Sequence, residues 1–169
     1  MAALDAVARA RRRRLRSAAL RRGLSEISGV TVRHRADSAA AAVLFCGWLC
    51  SRLGWRPGSL SEGGGTRRSG HARARRGEIS LRLHEVEQPG APGLAGVTIE
   101  MASGGSVSLD RGPGGLQSVR RARDGSEQVW TVLGASRGES GILGEGVRQA
   151  LLRDPTYKPA LSAARAMVA

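Results

Sequence analysis

The chain has 169 residues and a formal net charge of +13 at pH 7, from 27 basic and 14 acidic side chains. That length predicts one domain with a real hydrophobic core, or one domain with a tail. No apolar run approaches the roughly 20 residues that a membrane-spanning helix needs. Two cysteines cannot form a disulfide framework. Because the N-terminus also lacks the apolar segment of a secretory signal, we expect a cytoplasmic protein.

The positive charge is concentrated in two segments. Eight of the 26 arginines lie in residues 1–25 against a single acid, and five more lie between Arg67 and Arg76. The rest of the chain is nearly neutral, with 14 basic and 13 acidic side chains. We therefore expect a flexible basic arm at 1–26, a single domain at 27–166, and within it a flexible Gly/Arg-rich loop at 58–76.

The first predicted elements are a strand and a helix. GVTVRH at 29–34 alternates valine with polar residues, which is typical of a strand. A helix follows, with Asp37 or Ser38 as its N-cap and with Gly54 and Pro57 ending it. Its apolar face is expected to be buried; this face comprises Phe45, Cys46, Leu49, Cys50 and Leu53, with Leu44 and Trp48 on its shoulder.

After the expected loop, the pattern changes to a meander of strands. The alternating apolar residues are Ile79, Leu81 and Leu83, then Val97, Ile99 and Met101, then Val107 and Leu109. Gly104–Gly105 predicts a tight turn, and Asp124–Gly125 joins a last pair at 115–122 and 127–133. Residues 139–153 predict a second helix, and a short one is expected after Pro155. The fold class is α+β, an antiparallel sheet of about four to five strands with two main helices on one face.

One segment matches a catalytic motif. Gly134-Ala-Ser136-Arg-Gly138 fits the G-x-S-x-G nucleophile elbow and lies between a predicted strand and a predicted helix. That hydrolase order needs an acid and then a histidine after the serine, yet no histidine follows His84. A serine hydrolase built on Ser136 is therefore the weakest hypothesis, and we expect no enzyme activity.

The residues that could bind metals or cofactors lack the necessary spacing. Cys46 and Cys50 lie one helical turn apart, where a disulfide rarely closes without distortion, and we interpret them as small buried hydrophobic residues. The three histidines, His34, His71 and His84, show no metal-ligand spacing. The glycine clusters contain no phosphate-binding motif. We expect no metal and no cofactor.

The most distinctive surface feature is an Arg–Trp cluster where the predicted helix ends. Trp48, Arg52, Trp55 and Arg56 form a candidate partner-binding patch, since tryptophan and arginine are enriched in protein contacts. In the alternative interpretation the tryptophans cap the core while the arginines reach water. A nucleic-acid-associated protein that uses the basic arm and loop is the second functional hypothesis, although few aromatic residues are left for base stacking.

Several segments together resemble one family. LFCGWLCSRLGWRP at 44–57 is similar to a signature in the C-terminal domain of OpcA, the glucose-6-phosphate dehydrogenase assembly protein. VTIEMASGGSVSLDR resembles the family's paired strands, and SVRRARDG leading into EQVWTVL resembles its next hairpin. ILGEGVRQALLRDPTYKPAL resembles its closing helix. The resemblance covers about residues 27–162.

The resemblance implies a non-catalytic accessory protein of actinobacterial or cyanobacterial type. Such a protein would bind glucose-6-phosphate dehydrogenase, promote its assembly or activation, and so support NADPH supply through the pentose phosphate pathway. It would act as a chaperone-like allosteric effector. OpcA chains usually carry a further N-terminal domain. In this chain we expect the Arg-rich basic arm to stand in its place.

Overall fold

The structure, a computed structural model, describes residues 23–63, 65–87, 93–112, 115–133 and 154–168. These residues form one sheet of nine strands, two α-helices and a short 3-10 helix. In chain order the elements are β1 (Ile27–His34), the 3-10 helix (Ala36–Ser38), α1 (Ala39–Leu53), β2 (Arg56–Pro57), β3 (Ser61–Gly63), β4 (Arg67–Ala74), β5 (Gly77–Glu85), β6 (Leu94–Met101), β7 (Ser106–Gly112), β8 (Gly115–Arg121), β9 (Glu127–Leu133) and α2 (Tyr157–Val168).

The strand order is β2-β4-β5-β1-β6-β7-β8-β9, with β3 also paired to β4. The first strand, β1, lies between β5 and β6, parallel to β5 and antiparallel to β6. The predicted α+β class is confirmed. The prediction of an antiparallel sheet of four to five strands was wrong, because the sheet has nine strands and β1 runs parallel to β5. Periodicity reveals strands one at a time and does not show that an early strand is inserted into a later meander.

The expected loop at 58–76 instead contains β3 and β4. In β4 the residues facing the core are small, Gly70, Ala72 and Ala74, and they alternate with exposed polar ones. A Cβ on Gly70 would lie 2.6 Å from the Ser59 carbonyl oxygen. Since the buried face lacks large apolar side chains, its composition resembles that of a loop. The contacts with β5 and with the β2–β3 segment determine the strand.

Helix α1 begins and ends as predicted, but its N-cap differs in chemistry. Ser38 is the N-cap residue, yet its side chain makes no capping bond to the helix. The hydroxyl instead donates to Asp37 Oδ1 at 2.9 Å and accepts from the Gly93 amide at 2.9 Å. At the other end Gly54 adopts φ +67, and its N–H donates to the Cys50 carbonyl. This left-handed C-cap is the role that the sequence predicted.

The two helices cross at a glycine. A Cβ on Gly47 would lie 2.7 Å from the Ala164 nitrogen and would also collide with the Ala160 carbonyl oxygen. The short helix expected after Pro155 is thus α2, a twelve-residue helix that packs closely on α1. The predicted helix at 139–153, the elbow at Ser136 and residues 1–22 of the basic arm lie outside the described residues.

The core lies between these helices and one face of the sheet. Its fully buried side chains include Val30, Val32, Leu81, Leu83, Cys46, Cys50 and Met167. The opposite face of β1, β5 and β6 is polar, because strand side chains alternate between faces; the register aligns Thr31 with Arg82 and Thr98 there. One face of the sheet therefore builds the core and the other carries charged side chains.

Candidate protein-interaction surface

The candidate surface is a flank of α1 that the core leaves accessible. Ala41, Phe45, Trp48 and Arg52 recur at three- and four-residue spacing, which places them on one side of the helix. Trp48 is 40% exposed, and its ring stacks on Phe45 with the centroids 5.9 Å apart. Arg52, in the last turn, is also exposed. We call Phe45, Trp48 and Arg52 the α1 flank.

A carboxylate from another part of the chain lies within the electrostatic range of Arg52. The pKa of Asp154 is lowered, first by hydrogen bonds from the amide and hydroxyl of Thr156, and also by the charge of Arg52. Tyr157, 54% exposed, begins α2 three residues after Asp154. No sequence pattern indicated this proximity, which results from the packing of α2 against α1.

The four residues of the predicted patch do not form one surface. Trp48 and Arg52 share the α1 flank, whereas Trp55 is only 8% exposed and belongs to the core cluster. The Trp55 amide donates to the Cys50 carbonyl at 2.9 Å. Arg56 is exposed on β2, directly opposite Arg73 of β4. Of the two tryptophans, Trp55 caps the core and Trp48 is accessible to a partner.

The two cysteines are buried and free of disulfides. Burial raises the pKa of Cys46 to about 12, with a contribution from Cys50, and burial raises the pKa of Cys50 to about 11. Both thiols are therefore protonated at neutral pH, and the thiolate that acts as nucleophile or metal ligand is scarce. Among the described residues no group of His, Cys, Asp and Glu is arranged to hold a metal ion.

An open pocket of about 1050 Å³ lies where β1 and β5 begin. Its floor includes Ile27, Leu53, Trp55 and Ile79, and its rim carries two arginines and two glutamates. These rim charges are Arg75, Arg76, Glu26 and Glu78. Among the described residues that line the pocket, two positive and two negative side chains are thus present.

Three arginines on the polar face of the sheet form ion pairs with carboxylates. Arg33 pairs with Asp110 at 2.6 Å and Arg82 with Glu100 at 2.8 Å; Arg121 pairs with Glu127. Two of these pairs lie over glycines, because a Cβ on Gly29 would meet Glu100 and one on Gly96 would meet Asp110. These three arginines are bound to carboxylates, whereas Arg67 and Arg73 of β4 are exposed on the same face.

The fold defines an α+β domain with a mixed sheet and helices packed on one of its faces. A family model described as the C-terminal domain of a glucose-6-phosphate dehydrogenase subunit matches residues 10–161. The chain belongs to this family, the OpcA C-terminal domain family. The described part of the chain contains no helix that is both long and apolar enough to cross a membrane.

The comparison with curated proteins returns no match. Among solved structures, the chain is similar to a crystal structure of a probable oxidoreductase, yhhX, at 10% identity and a TM-score of 0.34. That match covers 90% of this chain and 58% of the other, so this chain spans little more than half of that protein.

Proposed function

We propose that the protein is a non-catalytic accessory subunit that binds glucose-6-phosphate dehydrogenase in the cytoplasm and promotes its assembly or activation. It would thereby support NADPH supply through the pentose phosphate pathway. The observation that carries the proposal is the α1 flank, in a chain that belongs to a family of dehydrogenase subunit domains. Trp48 is 40% exposed, and its ring stacks on Phe45, in the segment where the family resemblance is densest.

The chemistry of the flank suits protein contact. Tryptophan and arginine dominate the binding energy of interfaces, because a large flat ring and a planar guanidinium each bury much area in a fixed geometry. The stacking of Trp48 on Phe45 restricts the motion of the ring, which reduces the entropy lost on binding. Arg52 adds a charge that a carboxylate of the partner could pair with.

Binding of this kind can activate an enzyme without chemistry by the accessory protein. A partner that binds one conformational or oligomeric state more tightly shifts the population toward that state by the difference in affinity. The accessory protein therefore needs a surface that distinguishes the active assembly of the dehydrogenase, and it needs no catalytic group. The protonated thiols of Cys46 and Cys50 fit this role.

The test mixes the purified chain with the dehydrogenase of the same organism and measures binding by calorimetry and activity by NADPH formation. Trp48→Ala and Arg52→Ala should each raise the Kd about tenfold, which corresponds to about 1.4 kcal/mol. Leu109→Ala is the control for Trp48, since Leu109 is 39% exposed on β7. Arg123→Ala, an exposed arginine in the β8–β9 turn, is the control for Arg52.

The results separate the proposal from its alternatives. Micromolar binding that the two α1 variants weaken and the two controls preserve supports it. Absence of binding by the wild-type chain overturns the function, and equal binding by Trp48→Ala overturns the assigned surface.

A further inference from the structure

The two edges of the nine-stranded sheet differ in how they are protected. On one edge β2 has two residues, including Pro57, and β3 has three. Short strands, prolines and charged side chains are the usual means by which proteins prevent a sheet edge from pairing with another chain. This edge also carries the exposed charges of Arg56 and Glu62. It is therefore protected.

The other edge, β9, is neither short nor interrupted by proline, and it carries a single charged residue, Glu127. It is seven residues long and pairs with β8 in unbroken register, from Glu127 opposite Arg121 to Leu133 opposite Gly115. Its sequence, EQVWTVL, contains no proline, lysine or arginine. Within the described ranges, no strand pairs with the outer side of β9.

The side chains of the first five residues of β9 are exposed and mostly uncharged. All five from Glu127 to Thr131 are exposed, and Val129 and Trp130 are 56% and 44% accessible on opposite faces of the strand. Its one charged residue, Glu127, is already paired with Arg121. A long, neutral edge with apolar side chains on both faces is the kind that pairs with another strand.

We infer that β9 pairs antiparallel with β9 of a second copy of the chain, about a twofold axis at Trp130. This register places Val129 opposite Thr131 of the second copy and Glu127 opposite Leu133. No like charges face each other, and the two Trp130 rings form a cross-strand aromatic pair, one of the favourable pairings in a sheet. The contact is isologous, so it closes at two copies and joins the two sheets into one.

The dimer also has a consequence for dehydrogenase assembly, and this consequence alone rests on the proposed function. Two copies joined at β9 carry two α1 flanks, so one dimer can hold two dehydrogenase subunits. Linking two binding sites raises the effective concentration of the second subunit. Promotion of assembly would then follow from bivalency.

The experiment measures the mass of the full chain in the absence of the dehydrogenase, so its outcome is independent of the proposed function. Sedimentation equilibrium over a range of micromolar concentrations should show conversion from the 17.7 kDa chain to twice that mass. Trp130→Lys places two lysines opposite each other in the dimer and should leave the chain monomeric. Leu109→Lys is the matched control. Leu109 has similar exposure and aligns with Trp130 through Ser118, but lies two strands inside the edge; this variant should remain dimeric.

A charge-reversed variant makes the test independent of folding defects. Trp130→Glu should also be monomeric, and mixing it with Trp130→Lys should restore the dimer mass, because lysine and glutamate then face each other. Circular dichroism checks that each variant is folded. A wild-type chain that stays monomeric, or a Trp130→Lys variant as dimeric as Leu109→Lys, overturns the inference. A monomeric wild type that binds the dehydrogenase, together with a Trp130→Lys variant that does not, also overturns the inference. The edge would then pair with a strand of the dehydrogenase.

Discussion

Arg33 and Asp110 are 77 residues apart in the chain, yet the guanidinium of one binds the carboxylate of the other across an intervening strand. Nε and Nη2 of Arg33 donate to the same Oδ1 atom at 3.0 and 2.6 Å. Nη1 donates to Thr98 Oγ1 at 2.9 Å, on the strand between them. The bridge passes over Gly96, where a Cβ would lie 2.9 Å from Arg33 Nη2 and would collide with Asp110. A side chain at position 96 would therefore force the ion pair to shift.

This bridge predicts an order of stability among three variants. Asp110→Asn should lower the free energy of unfolding by about 1 kcal/mol or less, since the two side chains are 25% and 39% exposed and water screens the pair. Gly96→Ala should cost more, about 1–3 kcal/mol, because the added methyl also lies 2.9 Å from the Leu109 carbonyl oxygen. Gly112→Ala is the control, since its Cβ would make only an ordinary contact at 3.8 Å. Urea unfolding measures all three, and equal midpoints for the two alanine variants would contradict the prediction.

The helix crossing predicts that Gly47→Ala destabilises the fold despite the better helix propensity of alanine. Propensity favours alanine by about 1 kcal/mol. The methyl, however, would lie 2.7 Å from the Ala164 nitrogen, and backbone atoms cannot move aside as a side chain can. Overpacking of this kind costs about 1–3 kcal/mol. Thermal unfolding should therefore show a lower midpoint.

Gly23→Ala is the control for Gly47→Ala, because nothing lies within 4 Å of the Cβ that it would add. Since Gly23 is helical, this variant should be as stable as the wild type or up to about 1 kcal/mol more stable. A Gly47→Ala variant more stable than wild type would show that α2 can move away from α1.

The two tryptophans of the family signature should differ sharply in their effect on stability. Trp55→Ala removes a side chain that is only 8% exposed in the core, which typically costs about 3–5 kcal/mol. Trp48→Ala removes one that is 40% exposed, and the loss of its stacking on Phe45 should cost about 1 kcal/mol. Chemical unfolding distinguishes them. A loss of equal size at both positions would refute the assignment of Trp48 to the surface.

The cysteines should be inert in the folded protein. With pKa values of about 12 for Cys46 and about 11 for Cys50, very little thiolate exists at pH 8. A thiol-specific disulfide reagent should therefore label neither residue in the native state and both in denaturant. Rapid labelling of the folded chain at pH 8 would show that one of them is accessible and reactive.

His84 should titrate below its ordinary pKa of 6.5. Burial lowers its pKa most, followed by the charges of Arg67, Arg82, Arg33 and His34. As the pH falls, His84 therefore takes up a proton near pH 6.5 in the unfolded chain and only at a lower pH in the folded chain. Stability is fully present above that pH and decreases as the pH falls toward the folded pKa.

An NMR titration of the His84 imidazole measures this shift directly, and His84→Gln should have a flatter dependence of stability on pH in the same window. A titration midpoint at or above 6.5 would rule out the assigned environment.

Elements with a strong local pattern could be predicted from the sequence. Helix α1 has an alanine-rich start, an apolar face and Gly54 as C-cap, and β5 alternates Ile79, Leu81 and Leu83. The two hairpin turns that the sequence predicted carry glycine at a positive φ, at Gly104 and Gly125. In each case the residues that determine the element are neighbours in the chain.

The candidate surface could be predicted only in part, because burial depends on what the rest of the chain brings near. Trp48 and Trp55 lie seven residues apart in the same signature, and the sequence placed both in one patch. Trp55 is buried in the core cluster, whereas Trp48 lies on the α1 flank and is exposed. The proximity of Asp154 to Arg52 arises from the docking of α2.

By itself the sequence determined the α+β class, the position of α1, the turns of the meander and the family, since all of these depend on residue order and short-range pattern. The tertiary structure alone decided that β1 lies between β5 and β6, that the Gly- and Arg-rich segment forms β4, and that β9 lies at one end of the sheet that the described residues form. The physical reason is the same in each case. Strands that are distant in the chain pair according to neighbours that the chain order does not specify. The same holds for close contacts that only a small residue permits, as at Gly47 and Gly96.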